Sequence, residues 1–283
     1  MTRTNRRGFT LIELLVSLIM LVIVGGALYK LLVTVQRVSG RQTEVSNLQG
    51  NLRAGTQFVQ SELGELASNA AGASSDIVSM SATNLRYKAM RGLGETCEIA
   101  LGSVKVQRAT YSGTIPVQNQ DWLWFLWDKD STLVADDVWL SLPITGVSSS
   151  TCPDGTTPSM TLTLGTALTT AQRDETYAPS PIRTWEQMEI GPVTSGGQLW
   201  LGVRSISHNQ DDLLPLAGPL AAGGLAFQYY KSDGTTTTDV NLVKLITVTL
   251  IGATDRQVHK GVGGAMEIEM DTLQVRIQLR NSR

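Results

Sequence analysis

From Phe9 to Tyr29 the chain reads FTLIELLVSLIMLVIVGGALY, 21 residues that are apolar on all faces except at one acid, Glu13. Wound as a helix, this run spans about 31 Å, close to the thickness of a bilayer's hydrocarbon core. Lys30 follows it and can extend its ammonium to the far interface. Beyond, Gln36 to Ala67 contains no proline, and the pattern turns amphipathic. Leu48, Leu52, Val59, Leu63 and Leu66 recur at helical intervals, while Gln42, Glu44, Asn47, Gln57 and Glu62 take other faces. This predicts a second half-helix laid along a globular domain. A dimeric coiled coil is the alternative use of the same stripe, and glycines at 40, 50, 55 and 64 count against it. Gly25 and Gly26, inside the apolar run, suit either local loosening of the helix or close helix packing.

The small-residue segment Asn69-Ala-Ala-Gly-Ala-Ser-Ser75 predicts the end of the helix, and after it the period changes to two. Leu199, Leu201 and Val203 alternate with Trp200, Gly202 and Arg204. Leu225, Phe227 and Tyr229 share a face ahead of the turn signal Ser232-Asp233-Gly234. Ile246, Val248 and Leu250 share another, and Leu273, Val275, Ile277 and Leu279 alternate with Thr272, Gln274, Arg276, Gln278 and Arg280. Such runs are half-buried strands of an antiparallel sheet. Further strands are expected near 83–90, 97–111, 121–128, 137–147 and 159–164. The class is therefore α+β: a long N-terminal helix, membrane-spanning in its first half, followed by an antiparallel β-rich globular domain. Among 283 residues, 27 glycines and many Ser and Thr residues agree with a turn-rich β domain.

Charge changes the reading of the N-terminus. Net charge is −2, so nothing calls for a polyanionic partner. Arg3, Arg6 and Arg7 nevertheless stand together in the first eight residues with no acid, and without them 20 basic residues face 25 acidic ones. Arginines ahead of an apolar run hold the N-terminus in the cytoplasm and send the rest across the membrane. A secretory signal peptide would carry a shorter apolar core and a small-residue cleavage site. A buried core helix would not be apolar all round for 21 residues. A plain anchor leaves Glu13 unexplained, because a carboxylate in that run costs on the order of 2–3 kcal/mol.

The segment Arg6-Arg7-Gly8-Phe9-Thr10-Leu11-Ile12-Glu13-Leu14-Leu15-Val16 resembles the leader and helix start of type IV prepilins and type II secretion pseudopilins. The resemblance implies cleavage by a prepilin peptidase between Gly8 and Phe9, and N-methylation of Phe9. It implies an assembly role for Glu13, pairing with the terminal amine of a neighbouring subunit. The residues agree: Gly8 leaves the scissile bond open to close approach, and a new ammonium offsets the desolvation of a carboxylate in low dielectric. Domain limits follow as 1–8 leader, 9–35 transmembrane half-helix, 36–70 amphipathic half-helix and 71–283 β-rich periplasmic or extracellular domain. The size of that domain and the ending Gln274-Val-Arg-Ile-Gln-Leu-Arg-Asn281 resemble W-type minor pilins or J-type pseudopilins. A single-pass protein of a bacterial inner membrane is implied. Its partners would be the lipid bilayer, prepilin peptidase, an inner-membrane assembly platform and other pilins or pseudopilins in a pilus or secretion pseudopilus.

Other constellations are weaker. Cys97 and Cys152 would face an oxidising compartment, where a disulfide closing a loop of about 55 residues stabilises by roughly 4 kcal/mol; two buried thiols are the alternative. Trp122, Trp124, Phe125, Trp127 and Trp139, near Asp128, Asp130, Asp136 and Asp137, are expected to pack a β core, with an adhesive or carbohydrate-binding surface as the other use. Asp211-Asp212 and the pair Asp233 and Asp239 are candidate calcium ligands by analogy with some pseudopilins, but lack EF-hand spacing. No metal site or cofactor is assigned, and His208 and His259 read as surface or turn residues. No enzyme motif and no basic aromatic patch for nucleic acid occurs.

Overall fold

The computed structural model describes residues 10–68, 75–129, 137–261 and 264–279. Helix α1 (Leu11–Gly64) is continuous for 54 residues, about 80 Å of rise, and passes through Gly25 and Gly26 without a break. Thr10 caps it: its side chain accepts from the Glu13 backbone N–H while the Glu13 carboxylate accepts from Thr10 N. All residues from 10 to 32 are exposed. From residue 48 the helix becomes a packing element, and Leu48, Leu52, Val59, Leu63 and Leu66 are all buried. The stripe is filled by this chain's own sheet, which removes the coiled-coil alternative.

The strands run in chain order as β1 (Ile77–Met80), β2 (Leu85–Ala100), β3 (Ser103–Gln107), β4 (Ser112–Gly113), β5 (Trp122–Trp127), β6 (Val138–Thr151) and β7 (Pro158–Leu164). A short helix α2 (Thr170–Asp174) leads to β8 (Pro181–Ser195), β9 (Gln198–Ser205), β10 (Leu214–Tyr230) and β11 (Leu245–Ala253). The last strands are β12 (Val258–His259), β13 (Met266–Glu267) and β14 (Met270–Gln278). Their order in the main sheet is β1-β2-β3-β7-β6-β5-β8-β9-β10-β11-β14, with β4 on β2 and a further pairing of β2 with β8. Each pairing is antiparallel.

The β2–β8 pairing makes two lobes. It closes β2, β3, β7, β6, β5 and β8 into a circuit filled by Val104, Val106, Leu123, Phe125, Ile144, Leu162 and Ile182. On the other side of the shared strands, β8 to β11 and β14 spread as an open sheet, and α1 lies across β10, β11 and β14. That core joins Leu52, Val59 and Leu63 to Tyr87, Ile190, Leu201, Phe227, Ile246, Val248 and Leu250. Cys97 of β2 is bonded to Cys152, just past β6, with Cα atoms 5.7 Å apart.

Several sequence expectations need correction. The segment 97–111 is not one strand: β2 ends at Ala100, turns through Leu101-Gly102, and β3 returns beside it. The strand expected at 83–90 continues to Ala100, because it changes partner from β8 to β3 on the way. Strand β8, central to both lobes, was not anticipated. It carries Arg183, Glu186 and Glu189 between two prolines and shows no clean alternation, since both its faces are covered.

Two glycines let helix and sheet touch. A Cβ on Gly55 would stand 2.9 Å from Ala217 Cβ and 3.2 Å from Leu250 Cδ1, and one on Gly252 of β11 would press into Leu48 and Leu52. The far end of the helix is pinned by a reciprocal pair: Ala67 N donates to Asp76 Oδ2 (2.8 Å) and Asp76 N to Ala67 O (2.9 Å). Ser68 Oγ also donates to Val243 O.

Gly55→Val is expected to overpack this seat and cost about 1–3 kcal/mol. Gly50→Ala, with nothing within 4 Å of the new methyl, is expected to stabilise by about 0.5–1 kcal/mol. Urea denaturation followed by tryptophan fluorescence reads both, and the signs should be opposite. Burial pushes Asp76 up to about 6 from its ordinary 3.8. The folded chain therefore holds this proton more tightly than the unfolded one, so the carboxyl's stabilising contribution is full below about pH 4 and is lost as pH rises through about 6. Asp76→Asn should flatten that part of the stability–pH curve, measured by the same denaturation between pH 4 and 7.

Candidate functional site: an apolar helix and its seat

The exposed face of α1 has one polar feature at its start. Glu13 Oε2 accepts from Thr10 N and from Thr10 Oγ1, both at 3.0 Å. An acid in the third helical position suits the positive end of the helix dipole, so the local sequence explains why the helix begins here. The donors are neutral, however, and leave the carboxylate's charge uncompensated within the described residues. Gly8 and Phe9 lie outside the described residues. The most apolar 18-residue window of α1 has no residue buried in the protein, and the helix is long and apolar enough to cross a membrane.

The second half of the helix is held by polar ties as well as by packing. Arg41 clasps Glu269 through Nε and Nη2, each at 2.9 Å; this bond holds the Glu269 carboxyl below its ordinary range. Asn51 Nδ2 donates to Gly218 O at 2.6 Å. Near the helix end, Glu62 accepts from Tyr87 Oη at 2.9 Å and from Arg91 Nη1 at 3.0 Å. Arg91 Nε also binds Glu186 of β8. Glu186 accepts from Ser205 Oγ and stands 3.5 Å from His208 Nδ1, and His208 Nε2 lies 2.8 Å from Asp121 Oδ1. One chain of charged groups thus runs from α1 through the shared strands into the closed lobe.

His208 lies in the turn after β9, as the sequence reading allows, but its ring also sits between two buried carboxylates, which that reading did not include. Sequence distance hid this, since Asp121 and His208 are 87 residues apart. The donor atoms of Asp121, Glu186 and His208 lie within 4.8 Å of one another, a grouping able to take a metal ion. Its two ring nitrogens face different carboxylates: Nε2 is hydrogen-bonded to Asp121, and Nδ1 makes a longer contact with Glu186. Asp233 and Asp239 each accept from the backbone two residues on, from Thr235 and Asn241, as loop-forming groups do. Arg204 Nη1 donates to the Asp211 backbone carbonyl.

The tryptophans pack on one another. Trp122 and Trp124 stand 5.4 Å and 5.6 Å from Trp185 of β8, ring centre to ring centre. Lys88 Nζ lies over Trp185, and Arg183 over Trp139. Trp124 and Trp185 are buried, while Trp122, Trp127 and Trp139 are half-buried. Asp130 and Asp136 lie outside the described residues.

The family model of the prokaryotic N-terminal methylation motif matches residues 3–29. No curated protein and no solved structure matches the chain at a significant level. The matched segment contains the arginines, Gly8, Phe9, Glu13 and the apolar run, and its described residues, from Thr10 to Tyr29, are all exposed. This motif stands at the head of a long apolar helix with a large antiparallel β domain behind it, an arrangement that supports a type IV pilin-like family for the chain.

Proposed function

We propose that the protein is a structural subunit, a minor pilin or pseudopilin, of a type IV pilus or type II secretion pseudopilus. The leader is removed between Gly8 and Phe9 by prepilin peptidase on the cytoplasmic face, and Phe9 is N-methylated. The helix first crosses the inner membrane with the β domain on the far side, then passes into a helical bundle with other pilins or pseudopilins. The role is mechanical rather than enzymatic.

One observation carries this reading: a membrane-length apolar surface stays uncovered on the same helix whose second half is fixed to the sheet. Such a surface is stable only in lipid or against other apolar helices. Glu13 supports the second destination. Its carboxylate costs free energy in lipid, and the ammonium of a trimmed neighbour is a partner that lipid does not supply. The size of the β domain favours a minor subunit of W or J type. The Trp-rich region does not favour a tip adhesin, because its indoles are engaged with each other and with Lys88 and Arg183.

Purified from cells with active prepilin peptidase, the chain should begin at methylated Phe9 in an intact-mass spectrum. A mature chain that retained Met1 to Gly8 would contradict the reading. Glu13→Ala should leave membrane insertion intact or improve it, by no more than the roughly 2–3 kcal/mol that a deeply placed acid costs on insertion scales, while sharply reducing recovery in sheared filaments. Unchanged recovery would remove the proposed role of Glu13.

A further inference from the structure

Between Glu13 and Glu44 the helix carries three cations, Lys30, Arg37 and Arg41, and no acid. Arg37 and Arg41 are four residues apart and line one groove of about 350 Å³ between α1 and the β12–β13 hairpin. Val38 and Val45 give the groove an apolar floor, and His259 closes it from the hairpin side. Glu269 is the acid in its lining and is committed to Arg41. Arg37 is exposed and makes no ion pair among the described residues.

The height of this groove along the helix is informative. With Glu13 at the inner edge of the hydrocarbon, the shallowest place for its carboxylate, Arg37 lies about 36 Å further along the helix. The hydrocarbon is about 30 Å thick, and the headgroups bring the bilayer to about 40–45 Å. Arg37 therefore falls in the outer headgroup layer, where lipid phosphates sit, with Arg41 one turn beyond. Ile268 and Met270, both exposed, line an adjoining groove on the other side of the Arg41–Glu269 pair. A cationic groove whose lower end, at Arg37, reaches phosphate height and is continuous with the membrane helix matches the charged headgroup of an anionic phospholipid.

We propose that the groove between α1 and the β12–β13 hairpin seats the headgroup of an anionic phospholipid of the outer leaflet, with Arg37 as its principal contact. Bound there, the lipid would hold the helix–domain junction at the membrane surface before assembly and would have to leave when the helix enters a filament. The inference rests on α1 crossing the bilayer, and not on leader cleavage or on filament type.

Native mass spectrometry of the full chain in detergent micelles, with phosphatidylglycerol or phosphatidylcholine of identical acyl chains added, tests it. The chain should retain phosphatidylglycerol in preference. Arg37→Gln should weaken that retention about five-fold, the worth of one arginine at a charged membrane surface. Arg53→Gln, an exposed arginine of the same helix outside the groove, should leave it unchanged. Equal retention of the two lipids, or equal losses from the two variants, would overturn the proposal. The same spectra report the mass of the chain, so a trimmed, methylated protein without lipid preference defeats the lipid seat alone. A leader-bearing protein with that preference defeats the processing reading alone.

Discussion

The seating of α1 on the sheet fixes what the rest of the molecule can be. A helix of 54 residues presents more apolar surface than this domain covers. The sheet takes the stripe from Leu48 to Leu66 and stops there, and nothing in the described chain folds back over residues 10–32. Gly55 and Gly252 bring the helix backbone close enough to the sheet for methyls to interlock with Ala217, Leu201 and Leu250. The first half is left bare as a direct result, since the same rigid rod cannot bend both halves onto one sheet without a break that the sequence does not contain.

Around this contact, the charged ties divide the labour. Arg41 with Glu269 secures the membrane-proximal end of the seat, and Glu62 with Tyr87 and Arg91 the distal end. From Arg91 the chain of partners passes through Glu186, Ser205 Oγ and His208 to Asp121, so the helix is linked to the closed lobe by a path of hydrogen bonds as well as by strands β2 and β8. Each buried acid on that path has a donor, which is the condition for charge to be tolerated there. In the filament role proposed above, such a linkage would carry force from the helix to the domain without peeling one from the other.

Much of this was legible in the sequence, and the reason is periodicity. The apolar run and the Leu48-to-Leu66 stripe follow from helical spacing alone, and β9, β11 and β14 from alternation. Strand β8 was hidden because it breaks the rule: Glu186 and Glu189 are buried by virtue of Arg204 on the adjoining strand and of Arg91 and Arg86, which lie far away in sequence. The turn at Leu101-Gly102 was missed because both sides of it are β-prone, with no proline or Asn-Gly to mark it. The partners of His208 were hidden for a related cause, since a turn histidine reveals its carboxylates only after β5, β8 and β9 are side by side. The helix-start motif needed no tertiary information, because its chemistry is local to a few residues.

Amide hydrogen exchange of the full chain, in lipid nanodiscs and in detergent micelles, tests the two-part helix most directly. The account predicts that residues 48–64 exchange as slowly as β11 and equally in both media, because the sheet alone protects them. It predicts that the protection of residues 11–32 depends on the medium. Residues 48–64 exchanging much faster than β11, or protected only in lipid, would show that the helix is not seated on its own domain and would contradict the account.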